Sequence, residues 1–277
     1  IRRPPRSTQS RSSAASDVYK RQVYAPYNIK NGSIYDSITE RPLEGCSAEA
    51  INSILEMERC EGWQIRFMPA ICPDCGWDLQ GEGDTIVLPC KNCHTIWDIS
   101  GSAPKKVKYY NLFSKGQGFF YLPFWRLDVV FSAITLESYS DLFRIANLPK
   151  VYKKQWDQIK PYFWCPAFKV TPEVFLRLTR HLTLTESVFD LQEGMDIGSN
   201  AYNANLSLDN ALESVKITLA NVSSDRKNFY PILKDIDVTL RDSAIVYLPF
   251  RVSGSELIQE ELRFSIHSNT LKTGKRL

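Results

Sequence analysis

The feature that most constrains how this chain can fold is a pair of cysteine knuckles. Cys72-Pro73-Asp74-Cys75 and Cys90-Lys91-Asn92-Cys93 are separated by fourteen residues, Gly76 to Pro89. Two residues between cysteines let both sulfurs face one point while the intervening amides turn toward them. Gly76 follows the first knuckle, where the chain must turn with a positive φ that a residue without Cβ adopts most readily. Between the knuckles, Gly81-Glu82-Gly83-Asp84 predicts a turn and residues 85–88 a strand, with residues 95–99 as its partner.

Four thiolates in tetrahedral array suit Zn²⁺ and leave no open coordination position, so the expected site is structural, with Cys72, Cys75, Cys90 and Cys93 as ligands. A module this small buries too little apolar surface to fold unaided. Metal binding, worth roughly 10–16 kcal/mol in small zinc domains, is expected to hold it. Trp77 and Trp97 are expected to pack as a lid over the knuckles. These residues resemble the zinc-ribbon and rubredoxin-like knuckle family over residues 70–100 only. The second knuckle departs from a rubredoxin pattern, with Lys91, Asn92 and His94 where Pro and Gly would stand, which disfavours iron. His94 reads as a surface or supporting group and not as a fifth ligand.

Composition matters only after residues 1–22 are set apart. They are rich in Arg and Ser, nearly free of aliphatic residues, and look like translated adapter read-through. This tail holds six basic residues and one acid. Without it, 28 Lys and Arg face 30 Asp and Glu, a net charge of −2 in place of +3. A near-neutral body has no overall field to steer polyanions. The remaining 255 residues suffice for one large or two modest domains, and no run approaches the ~18–20 apolar residues of a membrane span. Of seven cysteines, four lie in the knuckles and Cys46, Cys60 and Cys165 are scattered. That count suits metal better than disulfides and points to a reducing, cytoplasmic setting.

A second pattern is aromatic-x-Pro-aromatic, at Tyr24-Ala25-Pro26-Tyr27, Tyr121-Leu122-Pro123-Phe124 and Tyr247-Leu248-Pro249-Phe250, with a looser copy at Trp164-Cys165-Pro166-Ala167-Phe168. The first and last copies run on into Gly-Ser turns, predicting hairpins with return strands over 34–38 and 257–267. Proline cannot donate to a ladder, so these strands are expected at edges or bulges. The aromatics are expected to pack in the core and not to line a groove.

Helices are predicted over 48–59, capped by Ser47; from Thr171-Pro172-Glu173, with Val174, Phe175, Leu178 and Leu182 on one side; over 208–220, with Leu208, Leu212, Val215 and Leu219 buried; and between Pro149 and Pro161, with Tyr152, Trp156 and Ile159 on one face. The resulting class is α+β: repeated antiparallel β-hairpins with packed helices and an inserted zinc ribbon. The expected organisation is a non-native tail over 1–22, hairpin plus helix over 23–69, ribbon over 70–100 and an α+β domain over 109–277, with linkers over 100–108 and 194–205.

The chain offers little recognisable chemistry. The chain has no phosphate-loop, H-E-x-x-H, G-x-S-x-G or G-x-G-x-x-G motif, and Gly116-Gln117-Gly118 reads as a turn. Cys46 precedes a helix start, a place that lowers thiol pKa, yet a small buried cysteine is commoner than a reactive one, and Cys165 reads as core. His181 sits among Arg177 and Arg180 near a helix C-terminus, where cations are favoured, and His267 lies in an alternating strand. Glu260 and Glu261 read as surface residues. A basic-aromatic stretch, Lys150 to Lys160, together with Lys105, Lys106 and Lys108, is the candidate nucleic-acid contact, with Lys153 and Lys154 at its centre. The leading expectation is a scaffold or protein-interaction protein with a structural zinc site and no recognisable catalytic centre, engaging a protein partner. The alternatives are a nucleic-acid-binding zinc-ribbon protein and a rubredoxin-like electron carrier.

Overall fold

A computed structural model describes residues 27–30, 33–36, 41–42, 68–112, 114, 118–185, 191–193 and 200–274. The chain divides into two compact units, 1–67 and 68–277. In the first, β1 (Tyr27–Lys30) pairs antiparallel with β2 (Ser33–Asp36), Ile29 opposite Ile34, which is the expected hairpin. The tail, the helix predicted over 48–59 with its Ser47 cap, Cys46 and Cys60 lie outside the described residues.

The second unit is built on a mixed sheet of nine strands in which antiparallel pairs dominate, giving the expected α+β class. Its centre is β6 (Phe119–Phe131) against β9 (Val238–Ser253), with β7 (Phe163–Pro166) pairing on the other side of β6 and the short β8 (Leu191–Glu193) also in the sheet. The β6–β9 register sets one aromatic-Pro-aromatic copy against another: Tyr121 faces Pro249, Leu122 faces Leu248 and Pro123 faces Tyr247. The two copies therefore do not each found a hairpin, as the repeat suggested; they pair with one another about a local twofold through the two leucines. Of these two, only the Tyr247–Phe250 copy also runs into a hairpin, turning at Gly254 (φ 58°) into β10 (Glu256–Gln259). The return strand expected over 257–267 is broken at Arg263 (φ 56°) into β10 and β11 (Phe264–His267), a second hairpin.

Both prolines lie inside the sheet and not on its edges. The Pro123 carbonyl accepts from the Ala167 N–H (3.0 Å), and two residues earlier the Tyr121 N–H donates to the Asn200 carbonyl (2.9 Å). Odd residues of β6 thus direct their main-chain groups away from β9, so the donor missing at Pro123 costs the β6–β9 ladder nothing. Pro249 is placed likewise on β9. On its outer side, the parallel pairing with β5 (Lys105–Leu112) ends at Tyr247, and that with β10 begins at Arg251. Each proline occupies a gap between successive partners.

Strand alternation gives the sheet two buried faces. Trp125, Leu127, Val129 and Phe131 join Ile245 and Tyr247 under α1 (Tyr139–Ala146) and α3 (Leu208–Val222). Leu122, Phe124, Val246, Leu248 and Phe250 lie under α2 (Pro172–Thr183) and Leu271 of α5 (Ser268–Gly274), the short α4 (Arg226–Ile232) preceding β9. On this second face the closing phenylalanines of three motif copies meet. Phe124 lies 5.5 Å from Phe168 edge-on and 6.5 Å from Phe250. All three are fully buried, as expected of core packing.

Helix α2 starts where Thr171-Pro172 predicts, and α3 is capped by Ser207, whose hydroxyl accepts from the Asn210 N–H. Val215 and Leu219 are buried as expected. Leu208 and Leu212 are only half-buried, and the small residues Ala211, Ser214 and Thr218 are buried in their place. The helix expected between Pro149 and Pro161 is a single 3-10 turn, Lys154–Gln158; its Trp156 is buried, but Tyr152 is exposed. Helix α1, not anticipated, carries a capping box between Ser138 and Asp141. Among the described residues, no helix is long and apolar enough to cross a membrane.

The linker expected over 100–108 is in part strand. β5 pairs with β4 (Ile96–Asp98) through Lys105–Val107 and with β9 through Lys108–Asn111, so one strand belongs to both the knuckle region and the central sheet. Residues 200–205, expected in a second linker, hold the buried Ala204 and Asn205.

Candidate metal centre

The two knuckles are the same loop built twice. In the first, the Gly76 N–H donates to the Cys72 carbonyl (2.8 Å) and the Cys72 N–H to the Trp77 carbonyl (2.7 Å). In the second, the His94 N–H donates to the Cys90 carbonyl (3.0 Å) and the Cys90 N–H to the Thr95 carbonyl (2.8 Å). Each loop turns on a left-handed residue just past its second cysteine: Gly76 at φ 73°, as its sequence position predicts, and His94 at φ 55°. His94 holds that conformation against the usual steric penalty on a residue with Cβ. Its carbonyl accepts from the Tyr109 hydroxyl at 2.8 Å.

This matched geometry brings Cys72, Cys75, Cys90 and Cys93 together, their sulfurs all within 4.8 Å of one another. Cys72 Sγ and Cys93 Sγ are 3.5 Å apart, Cys75 Sγ and Cys90 Sγ 3.4 Å. Sulfurs bound at about 2.3 Å around a tetrahedral ion stand about 3.8 Å apart, so the cluster has the size of a four-thiolate metal site. It can hold a metal ion.

The thiols differ in acidity. Burial opposes ionisation of Cys72, but the Thr95 hydroxyl and the amides of Cys75 and Asp74 outweigh it and bring it down to about 6. Cys75 is lowered by the Asn92 side chain and the Trp77 backbone. Burial pushes Cys90 up to about 11. Ionising all four together requires a cation among them, which is the linkage that makes metal uptake release protons.

Thr95 is the residue that the cysteine spacing does not announce. Its hydroxyl accepts from the Trp97 indole N–H (3.0 Å) and lies 3.0 Å from Cys93 Sγ and 3.6 Å from Cys72 Sγ. Its single proton is therefore available to sulfur. Trp97 packs with Cys72, Leu79, Leu88 and Cys90 in a small apolar cluster. Trp77, expected beside it as part of a lid, is instead 57% exposed.

β3 (Val87–Pro89) and β4 set this cluster against the rest of the unit. Their alternation points Leu88 and Trp97 at the cysteines, and Val87 and Ile96 into the large core under α1 and α3. Asp84 accepts from Asn205 Nδ2 and Lys169 Nζ, both at 3.0 Å, and the Ile86 N–H donates to the Ala204 carbonyl. The first knuckle is tied to β5 by the Lys106–Asp74 pair at 2.7 Å.

Lys105, Lys106 and Lys108 are exposed on β5, where Lys108 pairs with Asp242 at 2.8 Å. Lys153 and Lys154 are exposed at the 3-10 turn, Lys153 lying over the Trp156 ring. The two lysine groups thus stand on separate elements. Cys165 is buried beside Ser214, and burial pushes its thiol up to about 12, which removes it as a nucleophile near neutral pH. His267 Nδ1 accepts from the Asn269 N–H in the turn that starts α5.

No protein-family model matches the chain, and neither a curated protein nor a solved structure shows detectable similarity to it.

Proposed function

We propose that Cys72, Cys75, Cys90 and Cys93 bind one zinc ion as a structural centre, and that the zinc ribbon so formed is the recognition element of a non-enzymatic scaffold that engages a protein partner. The observation that carries this reading is the closed four-sulfur cluster built by two matched knuckles. Four thiolates fill a tetrahedral ion and leave no position for substrate. Exposed apolar side chains beside the cluster, Ile71 at 49% and Trp77 at 57%, supply the kind of contact that protein interfaces bury. The Lys106–Asp74 pair and the Asp84 contacts join that region to the rest of the unit.

Affinity purification of the tagged chain from its native cells, in parallel with an Ile71→Ser/Trp77→Ser variant, tests the reading. A partner recovered with the parent and lost from the variant supports it. A chain that elutes alone as a monomer in both preparations contradicts it.

A further inference from the structure

A groove of about 530 Å³ runs beside the C-terminal half of α2, away from the cysteine cluster. Lys150, Arg177, Arg180 and His181 line it, over an apolar floor that includes Leu148 and Leu184. Among the described residues, none of the four basic side chains is paired with a carboxylate. Three of them bond to backbone carbonyls: Arg177 donates to Ser265 (3.4 Å), Arg180 to Asn221 and Val222, and His181 Nε2 to Leu262 (2.8 Å).

Those bonds position the side chains without neutralising them. A helix C-terminus favours cations, which accounts for Arg180 and His181 in the last turn of α2. It does not account for Arg177 a turn earlier, or for Lys150, which comes from the segment after α1. Cations from two separate elements converge on one concavity, and each arginine uses one terminal nitrogen on a carbonyl and keeps further donors. Forked guanidinium groups with a lysine form the donor set that recognises phosphate. The volume is that of a small-molecule site, and the leucines suit an organic substituent.

We propose that this groove binds a small organic phosphate ester, its phosphate held by Lys150, Arg177 and Arg180 and its carbon skeleton lying on Leu148 and Leu184. Phenyl phosphate serves as the probe, titrated into the ¹⁵N-labelled full chain. The expected result is saturable shifts of the amides of Leu148, Lys150 and residues 177–185, with a dissociation constant of about 1 mM or tighter. Inorganic phosphate should bind at the same amides, several-fold more weakly. The Lys150→Gln/Arg177→Gln variant, which spares the Arg180 contacts to α3, should lose at least about tenfold in affinity. Mapping on the unaltered chain keeps the test valid should that variant misfold. The proposal is overturned by shifts elsewhere, by equal affinity in the folded variant, or by phenyl and inorganic phosphate binding alike. Preferential binding of a single-stranded oligonucleotide at these amides would likewise reject a small-ester site.

Discussion

Leu122 and Leu248 lie directly opposite one another on β6 and β9, both fully buried, at the point where the strands present Tyr-Leu-Pro-Phe to each other in opposite directions. One residue further along each strand is a proline whose missing donor falls in a gap of the outer ladder. The buried centre of the sheet can therefore hold two prolines.

Replacing either leucine by alanine should cost about 2–5 kcal/mol, since each empties part of the same face of the core. Because the two positions touch, the double variant should depart from additivity by more than about 0.5 kcal/mol. Urea unfolding followed by tryptophan fluorescence measures both. Strict additivity would show that the leucines do not share a cavity.

Gly76 and His94 occupy equivalent left-handed positions with opposite suitability for them. Gly76→Ala should lower the stability of the metal-loaded protein by about 1–2 kcal/mol, and His94→Gly should leave it unchanged or raise it by up to about 1 kcal/mol. Thermal unfolding of the two variants checks the contrast; a loss of equal size in both would contradict the equivalence.

Thr95→Val removes a hydroxyl that serves Trp97 and Cys93 together. Groups that support metal ligands typically contribute 10–100-fold in affinity. Competition with a chromophoric chelator should therefore show about a tenfold loss of metal affinity in Thr95→Val and near-parent affinity in Thr95→Ser. An unaffected Val variant would mean that the hydroxyl does not act on sulfur.

The Asp84 carboxyl is held below its ordinary value of 3.8, first by the Asn205 amide and then by Lys169. A lowered folded-state pKa means stability that is fully present above about pH 5 and is lost as pH falls through the folded value. Asp84 is half exposed, which limits the contribution to under about 1 kcal/mol. The stability difference between the parent and Asp84→Asn should be constant from neutral pH down to about pH 5 and vanish in stronger acid. A difference that grows on acidification would have the wrong sign.

What the sequence made legible was local. A knuckle is closed by residues within five positions of each other, so Cys72 to Trp77 can be read directly, and the starts of α2 and α3 are written in Thr171-Pro172 and Ser207. Helix α1 was readable too, from Ser138 and Asp141 three apart. The hidden part was long-range. Leu122 meets Leu248 across more than a hundred residues, and no local rule sets that register or reveals that β5 serves two sheet regions. The 3-10 turn at Trp156 shows the same limit. Lys160 precedes Pro161 and is biased away from helix, and Trp156 packs on Phe143 of α1 at 4.9 Å, a partner its own segment cannot announce. The wrongly expected Trp77 lid has a similar cause: Trp97, with Leu79 and Leu88, packs against the cysteines, and Trp77 stays exposed.

The central claim is that four sulfurs hold one zinc ion. Native mass spectrometry of the full chain, with elemental analysis of the same sample, tests it most directly. One zinc per chain, lost in Cys75→Ser/Cys93→Ser while the signature of the folded β6–β9 sheet persists, is the predicted result. Iron in its place, or zinc retained by the double variant, would contradict the account.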